Sequence, residues 1–148
     1  MSEEQKEVIV HGDGEELHQE VFVGSHRLAA DESEDSGGTD RGPDPYDLLL
    51  ASLGARTSMT LTIHAQREGL PLQGVTTRLR HSSVHAEDCA ECESEEGKID
   101  RIEVDIDLAG PLSDEQRSQL LEIVEKCPVH RSLTSGSVIK IGSGEESG

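Results

Sequence analysis

The sequence predicts an α+β fold, with antiparallel strands around a long central helix and a second helix nearby. Three observations predict it. The stretch Gly42–Gly69, GPDPYDLLLASLGARTSMTLTIHAQREG, reads as one helix with punctuation at both ends. Ile102, Val104, Ile106 and Leu108 alternate with Arg101, Glu103, Asp105 and Asp107, the pattern of a half-buried strand. Ser113–Lys126 then has the spacing of an amphipathic helix.

In chain order, Val8–Val10, Leu17–Val23 and Ser25–Ala30 are short β-like runs. Gly12-Asp13-Gly14 is a hairpin signal between the first two, and Gly24 separates the second from the third. Asp31–Arg41 is a polar loop feeding the long helix. Asp44 is placed to cap that helix, Pro45 suits its first position, and Asp47 falls at the third. Gly69 and Pro71 end it. Leu48, Leu49, Leu50, Leu53, Met59, Leu61 and Ile63 spread nearly round the cylinder, which predicts a helix in the middle of the fold. Gly74–Val84 is a further strand, with Val75, Thr77 and Leu79 on one side and Thr76, Arg78 and Arg80 on the other. His85–Lys98 is its charged connection to the strand around Ile102–Leu108. Ser113 and Gln116 form a capping box for the second helix, and Pro128 stops it after Cys127. Ser137–Ile141 reads as a last strand. There is no repeat and no long linker, so residues 1–148 are expected to form a single domain, with a flexible acidic N-terminus and a flexible tail from 142 to 148.

Composition narrows the function. Thirty-one acidic residues stand against 13 basic ones, a net charge of −18 that argues against nucleic acid and anionic membranes as partners. No apolar run is long enough to span a bilayer, and MSEEQKE lacks the apolar region of a signal peptide, so the expected location is the cytoplasm. The hydrophobic fraction is 32%, with no Trp, one Tyr and one Phe, a thin supply for a monomeric core. Association of subunits would cover apolar surface that one chain leaves open, so a homodimer is expected.

Arg56 is the residue that breaks the apolar pattern. It shares a helical stripe with Leu49, Leu53, Thr60 and Ile63. A guanidinium keeps its proton, so position 56 is either a partly exposed site with the head in solvent or a pocket that supplies an anion. The cysteines are Cys89, Cys92 and Cys127, an odd count that does not fit a secreted disulfide framework. Lys126, His130 and Arg131 lie close to Cys127 in sequence and favour its thiolate. Cys89 and Cys92 have redox or metal spacing, and with Cys127 and His130 they offer four ligand types that zinc accepts. The glutamates around the first pair mark a solvated loop, so the expectation is no metal and a reversible disulfide between Cys89 and Cys92. No cofactor is expected. His11, His18, His26, His64, His81 and His85 read as surface or structural histidines.

The run Gly42-x-x-Pro45-Tyr46-Asp47-Leu48-Leu49-Leu50-Ala51-Ser52-Leu53-Gly54-Ala55-Arg56-Thr57-Ser58-Met59-Thr60-Leu61, followed downstream by Lys126-Cys127-Pro128-Val129-His130-Arg131, resembles the OsmC/Ohr family of osmotically inducible and organic hydroperoxide resistance proteins. The resemblance covers about Gly24 to Ile141. It implies an intertwined homodimer with the central helices inside and active sites between subunits. It also implies peroxidase chemistry: a cysteine thiolate attacks a hydroperoxide, becomes a sulfenic acid and condenses with a second thiol. Arg56 occupies the position of the attacking cysteine, and Cys127 that of its partner. Tyr46 stands where relatives often carry a glutamate that orients an arginine, Asp47 is adjacent, and Arg27 is a candidate for the nearby positive charge. The resemblance therefore implies a redox protein whose standard hydroperoxide reductase reaction is weak or lost. Two alternatives remain open: a non-catalytic module that binds a small anion through Arg56, and a redox or zinc sensor built on Cys89, Cys92 and Cys127.

Overall fold

A computed structural model describes residues 7–85, 98–124 and 139–142. The chain divides into two compact units, Met1–Ala51 with Ser83–Asp100, and Ser52–Ser82 with Arg101–Gly148.

In the first unit, β1 (Val8–His11), β2 (Gln19–Val23) and β3 (His26–Ala30) form an antiparallel sheet in the order β1-β2-β3. Val10 pairs with Val21 and Val21 with Leu28, while the next row joins Ile9, Phe22 and Arg27. Since side chains alternate along a strand, one face carries Val8, Val10, Val21, Val23 and Leu28, and the other carries Ile9, Phe22 and Arg27. The expected hairpins therefore form. Strand β2 begins at Gln19 rather than Leu17, because the Asp13 carboxylate accepts hydrogen bonds from the Glu15 and Glu16 N–H groups and holds the preceding residues in a turn. A short 3₁₀ turn, Glu34–Ser36, interrupts the polar loop.

The long helix α1 spans Pro45–Glu68. Its start is a reciprocal cap: Asp47 N–H donates to Asp44 Oδ1 at 2.8 Å, and Asp44 N–H donates to Asp47 Oδ2 at 3.2 Å. At the far end Gly69 takes φ 65°, and Leu70 N–H donates to Ala65 O at 2.8 Å. That six-to-one closure needs a left-handed residue, which glycine adopts without steric cost.

In the second unit Leu61, Ala65, Leu112 and Leu120 form the core. Leu70, Leu72, Val75, Ile106, Leu108, Ile123 and Val124 pack around them. Strands β4 (Gly74–His85) and β5 (Lys98–Ala109) pair with each other. Arg78 bonds to Asp107 and Arg80 to Asp105, so partner numbers fall as the arginine numbers rise, as in an antiparallel ladder. Val75, Thr77 and Leu79 are half-buried, as are Ile102, Val104, Ile106 and Leu108, while the charged residues between them are exposed. Helix α2 (Asp114–Val124) has the expected capping box: Gln116 N–H donates to Ser113 Oγ at 3.1 Å and Ser113 N–H to Gln116 Oε1 at 2.9 Å. Arg117 ties α2 to the end of β5 by donating to Leu108 O at 2.8 Å and Gly110 O at 3.2 Å.

Two expectations need correction. Helix α1 is buried within the chain on one face only, formed by Leu53, Gly54, Thr57, Leu61 and Ala65, while Met59 and Ile63 are exposed. Among the described residues of this unit, a two-stranded sheet and one short helix cover a single side of the cylinder, however apolar the other side. Residues 139–142 carry no strand, and Ile139 and Ile141 are exposed. The rest of the expected last strand, the Cys89–Cys92 connection and the tail from 143 onward lie outside the described residues.

Candidate functional site on the central helix

Arg56 is the position on which the sequence places the site, and α1 sets its direction. The buried stripe of this helix runs through Leu53, Gly54, Thr57, Leu61 and Ala65. Gly54 brings the helix close to β4: a Cβ there would lie 2.7 Å from Leu79 Cδ1 and 2.9 Å from Thr77 Oγ1. Arg56 lies off that stripe and is exposed. Among the described residues no pocket is built around it. Among the described residues Arg56 has no hydrogen-bond or ion-pair partner.

The other site candidates divide clearly. Asp47 is used by the helix cap. Tyr46 is at the first turn of α1 and half exposed, with a partner of its own. Arg27 is engaged locally: it pairs with Glu20 and lies 5.5 Å from the Phe22 ring centroid. Cys127, Cys89, Cys92 and His130 lie outside the described residues. No group of His, Cys, Asp and Glu among the described residues is arranged to hold a metal. A hollow of about 160 Å³ beside the end of α1 is lined by Thr62, Ala65, Gln66, Leu70, Leu72, Gln73 and Gly74. It contains neither a thiol nor a charged group.

Two polar features escaped the sequence reading. Asp31 is buried at the end of β3, where it accepts from Glu32 N–H at 2.7 Å, Thr39 Oγ1–H at 2.8 Å and Arg41 N–H at 3.1 Å. Burial pushes its pKa up, but donation from the Arg41 backbone, the Thr39 hydroxyl, and the Glu32 and Thr39 backbones outweighs this and brings it to about 2. This carboxylate folds the polar loop back so that Asp31 N–H meets Pro43 O at 3.0 Å, just before α1. Thr57 is 1% exposed, and its Oγ1 has no hydrogen-bond partner among the described residues.

The comparisons with known proteins agree with this architecture. The profile of the OsmC-like protein family matches residues 37–142, well over half the chain and including parts of both compact units. The chain belongs to that family. No curated protein matches it. Among solved structures, an OsmC-like protein from Mycoplasma pneumoniae is similar with a TM-score of 0.69 at 14% identity, over 90% of this chain and 89% of that one. An organic hydroperoxide resistance protein OsmC from Legionella pneumophila gives 0.65 at 19% identity, over 90% and 91%. The organic hydroperoxide resistance protein OhrB of Bacillus subtilis gives 0.60 at 15%, over 88% and 91%. At these identities the likeness is one of fold. Among the described residues no helix is long and apolar enough to cross a membrane.

Proposed function

We propose that this chain is an OsmC-family redox protein related to thiol-dependent hydroperoxide reductases, in which the two-thiol reaction is weak or lost. The observation that carries the reading is Arg56 on α1, within the segment matched to the family, at the position the motif gives to the attacking thiol. In the complete reaction a thiolate takes the distal oxygen of a hydroperoxide, leaving an alcohol and a sulfenic acid. A second thiol then displaces water from that sulfenic acid to form a disulfide, which a dithiol reopens. A guanidinium is not a nucleophile, so Cys127 is left without a partner at position 56. The test is hydroperoxide consumption with excess dithiol. The parent should be slow, Arg56→Cys faster, and Arg56→Cys with Cys127→Ser slower again. A fast parent that is unaffected by Cys127→Ser overturns the reading.

A second reading is favoured by one specific observation. Arg56 is exposed and has no partner among the described residues, which supports a role in holding a small anion.

The working form proposed for either role is a cytoplasmic homodimer. Its support is uncovered apolar surface: Val10 and Leu28, which flank Val21 on one sheet face, are 57% and 50% exposed, and Met59 on α1 is 56% exposed. Light scattering that finds a folded monomer at micromolar concentration would contradict it.

A further inference from the structure

Arg56 carries a charge that its own helix cannot balance. The residues one turn away on either side, Ser52, Leu53, Met59 and Thr60, are all uncharged. The whole run from Leu48 to Arg67 contains no aspartate or glutamate, although the chain has 31 of them. Arg27, Arg41, Arg78, Arg80 and Arg101 each meet an acid of their own chain. Arg56 has no such partner among the described residues.

The apolar side chains beside it on the helix are uncovered as well. Met59 and Ile63 follow Arg56 by three and seven residues and are 56% and 42% exposed within the one chain. In the proposed homodimer a second copy covers this arc. Covering it strips water from the guanidinium, which keeps its proton and needs an anion in return. An uncharged residue at position 56 suits a purely apolar contact better, so the arginine marks a paired one. Charge also favours this face for a second copy. Two chains that each carry −18 repel one another, and they meet at least cost where neither presents acids, as along Leu48–Arg67. The balancing acid therefore lies outside that run.

We infer that Arg56 is an interchain anchor of the homodimer: its guanidinium binds a carboxylate of the second copy, supplied from outside Leu48–Arg67 of that copy. This inference rests on the homodimer reading. A planar guanidinium takes both oxygens of a carboxylate through parallel N–H donors, so the pair fixes orientation as well as contact. The position that the family motif gives to the attacking thiol thus serves assembly. An anion from solution and an acid of the same chain are the competing counter-charges.

The test uses Arg56→Lys, whose amine a carbodiimide joins to a touching carboxylate as an amide, the reagent taking up the water. Labelled (15N) and unlabelled full-length protein are mixed, re-equilibrated, cross-linked, digested and mapped by mass spectrometry. The expected product joins the peptide bearing position 56 to an acidic peptide, and includes pairs of one labelled with one unlabelled peptide. In sedimentation velocity, Arg56→Gln should raise the dimer Kd by roughly thirtyfold or more. Arg101→Gln, which breaks an exposed pair, should leave it unchanged. Both side chains are exposed within the chain, so circular dichroism should show an unaltered fold. A dimer of Arg56→Lys with no cross-link at position 56, as a solvent anion would give, overturns the inference. So does a cross-link confined to single chains, as an acid of the same chain would give, or an unchanged Kd in Arg56→Gln. If the parent is a monomer, the homodimer reading falls with the anchor. If the parent is a dimer and the cross-link fails, only the anchor falls.

Discussion

Replacing Gly54 by alanine sets two opposed effects against each other, and the structure decides between them. A glycine inside a helix costs about 1 kcal/mol relative to alanine, so Gly54→Ala would stabilise a free helix by that amount. Here the added methyl would lie 2.7 Å from Leu79 Cδ1 and 2.9 Å from Thr77 Oγ1. The leucine tip can turn aside, but Thr77 Oγ1 is one bond from a Cβ fixed by β4. Forcing a methyl into such a contact costs about 1–3 kcal/mol. The steric cost therefore exceeds the propensity gain, and we expect a net loss of about 1 kcal/mol. Urea denaturation, with the slope checked for constancy, measures it. Thr77→Ala should relieve the loss in a double-mutant cycle, since it removes the atom that is less able to turn aside. At the exposed neighbour Ala55 propensity acts alone, so Ala55→Gly should cost about 1 kcal/mol. A gain in stability for Gly54→Ala would refute the close approach of α1 to β4.

Thr57→Val removes a buried hydroxyl that has no partner among the described residues and keeps the side chain's shape, so it should raise stability by about 1 kcal/mol in the same urea assay. Asp31 supplies a pH signature. Its carboxyl titrates at about 2 in the fold against an ordinary value of 3.8, so the unfolded chain binds more protons between those values. Its contribution is complete above pH 4, declines as pH falls toward 2 and is gone below that. Asp31→Asn should flatten the acid limb of a stability-versus-pH curve, and an unchanged limb would contradict the assignment.

Local chemistry made much of the fold legible. The caps at Asp44 and Ser113 and the glycine closure at Gly69 are short-range patterns whose donors and acceptors lie within six residues of one another. The alternation in β4 and β5 likewise identified their inner faces. Asp31 was not legible as a buried group, because Thr39 and Arg41, its donors, lie eight and ten residues away across an irregular loop. The apolar circumference of α1 suggested complete burial, but periodicity reports which side chains seek cover rather than what the chain provides. Arg56 shows the same gap. Helical spacing placed it on a stripe with Leu53 and Ile63, and those residues end on opposite terms, one buried and the other exposed.

The correspondence of position 56 with the attacking thiol, and of Cys127 with its partner, is tested most directly by where a disulfide forms. Arg56→Cys would be treated with one equivalent of an organic hydroperoxide, digested without reduction and mapped by mass spectrometry. The expected product is a cross-link between the α1 peptide bearing the new thiol and the peptide bearing Cys127, absent from the parent and from Arg56→Cys with Cys127→Ser. A folded Arg56→Cys protein whose oxidised product joins only Cys89 to Cys92, or which forms no cross-link to Cys127, would contradict the correspondence.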